Sequence, residues 1–443
     1  MSILYKMSLE LSLPAGVDFS KNLPHIPENV TTSLMTILPT NGGGAFKSGS
    51  VVQFDLPARA GLYLDGKTAF LRYRLNYTST ATAVSMRANC AVVPFQKLDE
   101  FINSTTINSV YNYNQVANMY INTHYGVSEK YGVQSALFSQ NKAGVDTLNG
   151  QDGVVLTASQ ATLAGKLYFS TPLHCSALMG ADKYIPTGLM GSWRIQLTLA
   201  QLSDLTNDTT NFSDYSIDNI ELCINSIDMG VGVDNIIASM GPKLMLKTTC
   251  WANQGQNVTS GSVGLISLPF NHRFQSVNNI YLITSGSDVA KDLNGIFDSR
   301  DLSALGTYQF TIGSQTFPQL PINCVVNKAG ALMYLREAVG SLSDWRFAQS
   351  INATEYNYLS SATATTIAEP AKFYVGVPVS KLQPTDPFAP SSLLSGVNCA
   401  STPIIANVNI TTATYQASNA YMIAEYDALI QIDVASRQVS IVA

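Results

Sequence analysis

The stretch Ala69-Phe70-Leu71-Arg72-Tyr73-Arg74-Leu75-Asn76-Tyr77 alternates apolar and polar residues from Leu71 onward. In an extended chain its odd-numbered side chains would lie on one face, and Arg72, Arg74 and Asn76 would lie on the other. A period of two is typical of a β-strand that buries one face. The stretch therefore predicts a half-buried strand rather than a helix.

The same alternation recurs along the chain and makes strands the dominant element. It is clear in Trp193 to Leu199, where every second residue is apolar. Further strands are predicted at Lys243 to Cys250, Val277 to Thr284, Tyr308 to Ile312, Phe373 to Val379, Ile404 to Ile410 and Ala428 to Asp433. Only Ser109 to Tyr120 and Val325 to Val339 have the apolar spacing of an amphipathic helix. A doubly wound α/β fold would need a helix after nearly every strand, so the sequence predicts an all-β fold.

Three features of the pattern repeat at nearly one offset. Gly49 to Pro57 matches Gly261 to Pro269 at five of nine positions with an offset of 212, and the two predicted helices are offset by 216. A pair of strands also ends each half. This repetition predicts two tandem jelly-roll β-sandwiches, each with an inserted helix. The expected division is an N-terminal arm at 1–45, a first jelly roll at 46–235 and a second at 243–443.

Composition limits the classes of function. Of the 443 residues, 46% are hydrophobic and only 12% are charged, about half of the roughly 25% charged residues usual in soluble domains. We therefore expect much of the surface to face other protein. Twenty-five basic and thirty acidic residues give a net charge of −5, and the first fifty residues contain no basic arm. Sequence-specific or backbone-tracking contact with nucleic acid is therefore not expected.

The cysteines are spread along the chain without a C-x-x-C pair, and we expect them to be buried free thiols. They are Cys90, Cys175, Cys223, Cys250, Cys324 and Cys399. One or two long-range disulfides remain the open alternative. The stretch from Met1 to Gly16 lacks the continuous apolar core of a signal peptide. No window approaches the roughly 18 to 20 apolar residues of a membrane span, so we expect a soluble protein without a cleaved leader.

One catalytic motif matches by letter. Gly61-Leu62-Tyr63-Leu64-Asp65-Gly66-Lys67-Thr68 fits G-x-x-x-x-G-K-S/T, the phosphate-binding loop of nucleotidases. In that loop the lysine and the following hydroxyl open a helix whose positive end faces the phosphates. Here the alternating run from Ala69 follows instead, and the loop interior is bulky and apolar. The motif is therefore interpreted as a turn that leads into a strand.

Other candidate metal-binding and catalytic residues lack the sequence spacing that such sites require. The histidines, His25, His124, His174 and His272, are isolated in sequence, so no zinc-binding pair is expected. The acidic residues Asp204, Asp208, Asp214 and Asp218 lack the spacing of a calcium loop and are interpreted as a solvated loop. Glu425 and Asp427 could form a glycosidase pair, but an exposed acidic strand edge is favoured. The sequence therefore predicts no catalytic, cofactor-binding or metal-binding residue.

Several segments resemble one family of viral proteins. They are Leu23 to Glu28, Phe46 to Ser50, Leu64 to Tyr73, Tyr184 to Leu199, Leu268 to Val277, Ile312 to Pro321 and Tyr426 to Asp433. Together they are similar to double jelly-roll major capsid proteins of the PRD1 and adenovirus lineage. Within that lineage the chain most resembles the capsid proteins of polinton-like viruses and virophages.

The resemblance implies a structural protein of the virion of a DNA virus, not an enzyme, with no cofactor. It implies a homotrimer whose six jelly rolls form a pseudo-hexagonal tile of an icosahedral shell. Implied partners are further copies of the chain, penton and minor capsid proteins, and an internal membrane. The residues alone leave two other hypotheses open. One is a β-sandwich adhesin or carbohydrate-binding protein, and the other is a nucleotidase that uses Lys67.

Overall fold

The structure is a computed structural model of the chain. It describes residues 30–79, 84–86, 91–126, 154–156, 166–206, 209, 212–239, 241–259, 262–286, 305–325, 328–340, 351, 356, 372–380, 394–411 and 418–442. Within these residues antiparallel strands form four large sheets. None of the described helices is long and apolar enough to cross a membrane.

The N-terminal half forms two large sheets and a separate pair of short strands, β5 and β8. Its strands are β1 (Thr31–Ile37), β2 (Phe46–Lys47), β3 (Val51–Asp55), β4 (Leu62–Ser79), β5 (Val84–Met86), β6 (Phe95–Ile102), β7 (Thr105–Tyr111), β8 (Val154–Leu156), β9 (Lys166–Pro172), β10 (Ile185–Pro186), β11 (Trp193–Leu199) and β12 (Phe212–Asp228). Its helices are α1 (Tyr113–His124), α2 (Ala177–Gly180), α3 (Thr187–Met190) and α4 (Leu202–Leu205). One sheet has the order β1-β12-β4-β10, with β2 beside β12 and β9 beside β4, and the other has the order β3-β11-β6-β7. We call this pair of sheets the first jelly roll.

A helix, α5 (Val231–Ser239), leads into the C-terminal half. The strands there are β13 (Lys243–Val258), β14 (Gly264–Phe270), β15 (Val277–Gly286), β16 (Leu305–Ile312), β17 (Gln315–Asn323), β18 (Val375–Pro378), β19 (Ile404–Ile410), β20 (Ser418–Asp433) and β21 (Val439–Val442), and the helix is α6 (Lys328–Val339). One sheet has the order β13-β20-β15-β18 with β21 beside β20, and the other has the order β14-β19-β16-β17. This pair is the second jelly roll.

The two halves share one topology. The order β3-β11-β6-β7 corresponds to β14-β19-β16-β17, and β1-β12-β4-β9 corresponds to β13-β20-β15-β18. In each half one helix, α1 or α6, follows the last strand of the four-stranded sheet. The predictions of an all-β fold, of two tandem jelly rolls and of one inserted helix in each are therefore confirmed.

The boundaries of the predicted regions stay predictions. Strand β1 lies within the expected arm, 1–45, and pairs with β12 from Thr31 opposite Asp228 to Ile37 opposite Leu222. Part of that segment is therefore built into a sheet. Residues 1–29 lie outside the described part of the chain.

The core lies between the two sheets of each jelly roll and follows the predicted alternation. In β4, Leu71, Tyr73 and Leu75 are buried among the core residues, whereas Arg72 points away from them. In β11 the burial alternates strictly from Trp193 to Leu199. The register predicted for both strands is confirmed.

Candidate assembly surfaces

The segment that matches the phosphate-loop motif is extended chain, because β4 begins at Leu62 and continues to Ser79 without a helix. A Cβ at Gly66 would lie 1.9 Å from the carbonyl oxygen of Leu178, so the close packing of α2 on β4 requires glycine there. The Thr68 hydroxyl donates to the carbonyl oxygen of Asp65 at 2.7 Å. The predicted strand is confirmed, and sheet packing explains the small and hydroxyl residues of the motif.

Arg72 and Arg74 each pair with a carboxylate on the neighbouring strand β12. The Nε of Arg72 lies 2.9 Å from Glu221, and the Nε of Arg74 lies 2.6 Å from Asp218. Tyr73, between them, is buried in the core. The two guanidinium groups are therefore engaged in cross-strand ion pairs rather than arranged around an aromatic platform for nucleic-acid bases.

The acidic residues that could have formed a calcium loop do not converge. Asp214 and Asp218 lie on β12, where Asp214 pairs with Lys47 at 3.7 Å, while Asp204 lies in α4. Asp208 falls outside the described residues. The interpretation as a solvated loop is wrong for Asp214 and Asp218, because both lie within strand β12.

The two jelly rolls meet at an interface that we call the internal junction, and an aromatic cluster lies at its centre. The ring of Tyr120 in α1 stacks on His124 with centroids 4.1 Å apart and lies 5.4 Å from His174. Across the junction, the ring centroid of Trp251 lies 5.7 Å from Tyr120 and 5.8 Å from Tyr281. Two histidines that are fifty residues apart in sequence therefore share one cluster.

Burial sets the protonation of both histidines in this cluster. It lowers the pKa of His124 to about 4 and that of His174 to about 3, because a charged imidazole loses its hydration there. His272 lies elsewhere, with its Nε2 3.1 Å from the carbonyl oxygen of Met422. His25 is outside the described residues. The described histidines therefore make aromatic and hydrogen-bond contacts within the fold, and the expectation of no zinc-binding pair stays a prediction.

Main-chain contacts join the same two jelly rolls. The hydroxyl of Thr248 in β13 donates to the carbonyl oxygen of Ala177 at 2.5 Å. The amide of Asp182 donates to the carbonyl oxygen of Lys247 at 3.0 Å. A Cβ at Gly180 would lie 2.2 Å from the carbonyl oxygen of Thr249. The backbones of α2 and β13 therefore approach as closely as strands of one sheet.

On β20, Asp427 is buried and Glu425 is half-buried, so the prediction of an exposed acidic edge is wrong. Glu425 accepts hydrogen bonds from the Asn279 amide at 2.8 Å and the Tyr281 hydroxyl at 3.3 Å, and burial raises its pKa to about 7. Asp427 lies 3.1 Å from the ammonium of Lys247. The first jelly roll covers this sheet face, which explains why the side chains are not exposed.

The cysteines carry no disulfide among the described residues. Cys175, Cys223, Cys250, Cys324 and Cys399 are buried free thiols, as predicted, and Cys90 lies outside the described part. Burial raises the pKa of the Cys175 and Cys250 thiols well above the usual range. In the same part of the chain no three His, Cys, Asp or Glu side chains form a group that could hold a metal ion.

Among the described residues, large apolar side chains remain exposed at sheet edges and on the helices α5 and α6. Clear examples are Leu34 on β1, Leu38 after it, Leu265 on β14, Leu320 on β17 and Met333 on α6. Sequence reasoning did not identify these residues, although the low charged fraction indicated a surface that contacts protein. Contiguous exposed apolar side chains mark contact with other protein, so the elements that carry these residues are the candidate assembly surfaces.

No family model matches the chain, and no curated protein matches it in sequence. Solved structures match over nearly its whole length. The Faustovirus major capsid protein is 12% identical with a TM-score of 0.61, covering 93% of this chain and 91% of that chain. PBCV-1 VP54 is 10% identical with a TM-score of 0.58, covering 96% and 99%. A chain of the Sputnik virophage structure is 13% identical with a TM-score of 0.53, covering 98% and 93%. The chain therefore has the double jelly-roll fold.

Proposed function

We propose that this chain is a viral major capsid protein, a structural component of the virion. The observation that carries the proposal is the match to the Faustovirus major capsid protein, which covers 93% of this chain and so spans both of its jelly rolls. The low charged fraction supports it, because a shell protein buries much of its surface against copies of itself.

The proposed assembly is a homotrimer. Two jelly rolls of one topology in each chain would let three copies fill six near-equivalent positions of a pseudo-hexagonal tile in an icosahedral shell. Homo-oligomers usually end their growth by closed cyclic symmetry, and a trimer of duplicated units closes in this way. Further partners would be neighbouring tiles, penton and minor capsid proteins and an internal membrane.

We propose that this chain does not bind the genome directly. The net charge is −5, and the outward arginines of β4 are held in ion pairs with Glu221 and Asp218. Binding driven by release of phosphate counterions needs unpaired basic groups. Packaging of the DNA genome would then depend on other virion components.

The test is the mass of the purified full-length chain in solution. Light scattering or native mass spectrometry should report three times the 47.7 kDa of one chain, and negative-stain images should show pseudo-hexagonal particles. A stable monomer at micromolar concentration would contradict the proposal. Specific binding on a glycan array would favour an adhesin instead. Loss of measurable ATP turnover in Lys67→Ala would favour a nucleotidase.

A further inference from the structure

Lys247 and Asp427 form an ion pair that is largely shielded from water. The ammonium nitrogen of Lys247 on β13 lies 3.1 Å from Oδ2 of Asp427 on β20, and the two side chains are only 16% and 2% exposed. Removing two charges from water is costly, and their mutual attraction offsets that cost only with good geometry and further hydrogen bonds. Stability alone is therefore a weak reason for a buried pair at this place.

The sheet register fixes the relative position of the two side chains. Strands β13 and β20 pair without a register shift from Lys243 to Val258, and Thr249 lies opposite Asp427. Lys247 is two residues from Thr249 and therefore lies on the same face of the sheet. The contact is thus set by two long paired strands rather than by a flexible loop.

A serine that precedes β15 adds a second contact to the same carboxyl oxygen. The Asp427 amide donates to the carbonyl oxygen of Ser276 at 2.9 Å, and the Ser276 hydroxyl lies 3.5 Å from Oδ2 of Asp427. That hydroxyl accepts a hydrogen bond from the Gly396 amide at 3.0 Å, so its own proton can point to Oδ2. The carboxyl oxygen nearest Lys247 therefore has a hydroxyl donor beside it.

Glu425 supplies a second carboxyl group near this pair. It is two residues from Asp427 on β20 and lies on the same face of the sheet. Burial, together with the nearby charge of Asp427, raises the pKa of Glu425 to about 7. Near neutral pH Glu425 therefore populates both protonation states, as a group that transfers protons requires.

A lysine and a carboxyl group that are held in contact away from water can condense to an amide. The reaction needs the neutral amine and the protonated acid, and transfer of one proton across the 3.1 Å contact would produce both and remove two buried charges. The fixed contact also replaces a bimolecular encounter by an intramolecular step. Carbon Cγ, which the amine would attack, is bonded directly to the contacted oxygen.

We propose that Lys247 and Asp427 condense into an intramolecular isopeptide bond. The lone pair of the Lys247 nitrogen attacks Cγ of Asp427, so that an Nζ–Cγ bond forms and the Cγ–Oδ2 bond breaks. Two protons of the ammonium group reach Oδ2, one by direct transfer and one through Glu425, and Oδ2 leaves as water. The balance needs no other reactant, and the product is an amide that joins β13 to β20.

Two other lysine pairs provide a comparison. Lys47 lies 3.7 Å from Asp214, and both side chains are more than half exposed. Lys97 lies 2.8 Å from Asp99, with 27% and 14% exposed side chains, and its ammonium also lies 4.4 Å from the centroid of the Tyr111 ring. Both pairs are more open to water than Lys247 and Asp427, so we expect them to remain ion pairs.

The bond would fasten the second jelly roll at its edge. It closes the loop from residue 247 to residue 427, which contains most of that jelly roll, and closure of a long loop restricts the unfolded chain. Strand β13 is also the strand that meets the first jelly roll, through the hydroxyl of Thr248 and the carbonyl of Ala177. The link would therefore keep the strand that carries the internal junction from detaching.

The experiment is mass spectrometry of the full-length chain, purified in the folded state and then denatured. The wild type should weigh less than its sequence by one molecule of water. Tryptic digestion should give one branched species of fragments 244–273 and 382–437, because the linked Lys247 is no longer cleaved. Lys247→Met should have its full sequence mass, whereas the matched control Lys97→Met should lose one water as the wild type does.

The role of Glu425 is tested by the rate of the reaction. Glu425→Gln should form the same branched species but about a hundredfold more slowly or less, because proton transfer by a positioned carboxyl group contributes at least that factor. Condensation of Glu425→Gln at the wild-type rate would overturn the proton-transfer role of this residue.

The mass and the fragment map of the wild type decide the proposal even if Lys247→Met fails to fold. A folded wild type that keeps its full sequence mass after prolonged incubation would overturn the proposal. Loss of water that maps to a cyclised aspartate, as at Asp65-Gly66, or to a link between Lys247 and another carboxyl group would also overturn it. The measurement detects a covalent bond within one chain, so its result is independent of the proposed trimer and of the proposed function.

Discussion

A single buried carboxylate connects helix α5 to the first jelly roll through hydrogen bonds. Asp234 is the only buried residue of that helix. It accepts hydrogen bonds from the Gly61 amide at 2.7 Å and from the Tyr63 hydroxyl at 2.6 Å. Burial and this carboxylate together raise the pKa of Tyr63 well above its usual range. The apolar side chains of Val231 and Ile236 remain exposed, so packing contributes little to holding the helix.

Asp234→Ala should therefore lower the free energy of unfolding by about 2–3 kcal/mol, because two buried donors lose their acceptor. Denaturant unfolding followed by tryptophan fluorescence would measure the change. Tyr63→Phe should cost about 1 kcal/mol in the wild type and close to nothing in the Asp234→Ala background. The control is Asp214→Ala, an exposed carboxylate whose loss should change stability by about 0.5 kcal/mol or less. Equal effects of Asp234→Ala and Asp214→Ala would contradict the anchoring role.

At the scale of elements, the register of β4 determines which of its side chains can be changed. Leu71 is 1% exposed and lies in the core between the sheets, whereas Lys67 on the same strand is exposed. Leu71→Asp should prevent recovery of folded protein, since an unpaired buried carboxylate costs several kcal/mol. Lys67→Asp should leave folding intact. Soluble yield and thermal unfolding of the two variants compare the positions directly, and a normal trimer from Leu71→Asp would mean that the register is wrong.

Sequence alone predicted such strands because alternation is a local property. The sequence predicted that the first helix begins at Ser109, which is too early. Residues 109–111 pair with β6 as a strand, and α1 begins only at Tyr113. It also missed β1, whose sequence Thr31 to Ile37 has no regular alternation and becomes a strand by pairing with β12. Both errors arise where a partner distant in sequence decides the local conformation.

The half-buried position of Glu425 and the shared cluster of His124 and His174 could not be predicted, because both also depend on partners that are distant in sequence. Each depends on which sheet face the other jelly roll covers, and that information is absent from the spacing of neighbouring residues. Burial, together with the nearby carboxylate of Glu425, raises the pKa of the Cys175 thiol of the first jelly roll well above its usual range. The absence of motif spacing for a metal or nucleotide site, by contrast, was readable from the sequence because such motifs are short and local.

On the scale of the whole molecule, stability depends on pH through histidine and glutamate side chains of the internal junction. The contributions of the two residue types change in opposite directions as the pH falls. Burial holds the pKa of His174 at about 3, against 6.5 for a free imidazole. The unfolded chain therefore binds protons below pH 6.5 that the folded chain cannot, and stability falls as the pH drops. Burial also raises the pKa values of Glu100 and Glu425 from 4.5 to about 7, so their contribution to stability grows as the pH falls from 7 to 4.5.

Between about pH 6.5 and 4.5 these two contributions oppose each other, and below 4.5 only the histidine contribution continues to change. The His174 Nε2 has no hydrogen-bond partner among the described residues, so no acceptor there would stabilise an imidazolium. Acid should therefore weaken the junction at the aromatic cluster that contains His124 and His174, and with it the pairing of the two jelly rolls on which the proposed ring depends.

His174→Gln should remove the part of this acid sensitivity that His174 contributes. Relative to the wild type, the variant should gain roughly 2 kcal/mol of stability between pH 7.5 and pH 4.5, because the glutamine side chain does not titrate. Unfolding by urea at a series of pH values would measure the difference, with Tyr120→Phe as a control that changes the same aromatic cluster without removing a titrating imidazole. Parallel pH profiles for the wild type and His174→Gln would show that acid acts elsewhere in the molecule. If the proposed trimer of His174→Gln survives at a pH where that of the wild type dissociates, the acid-sensitive step lies at the junction.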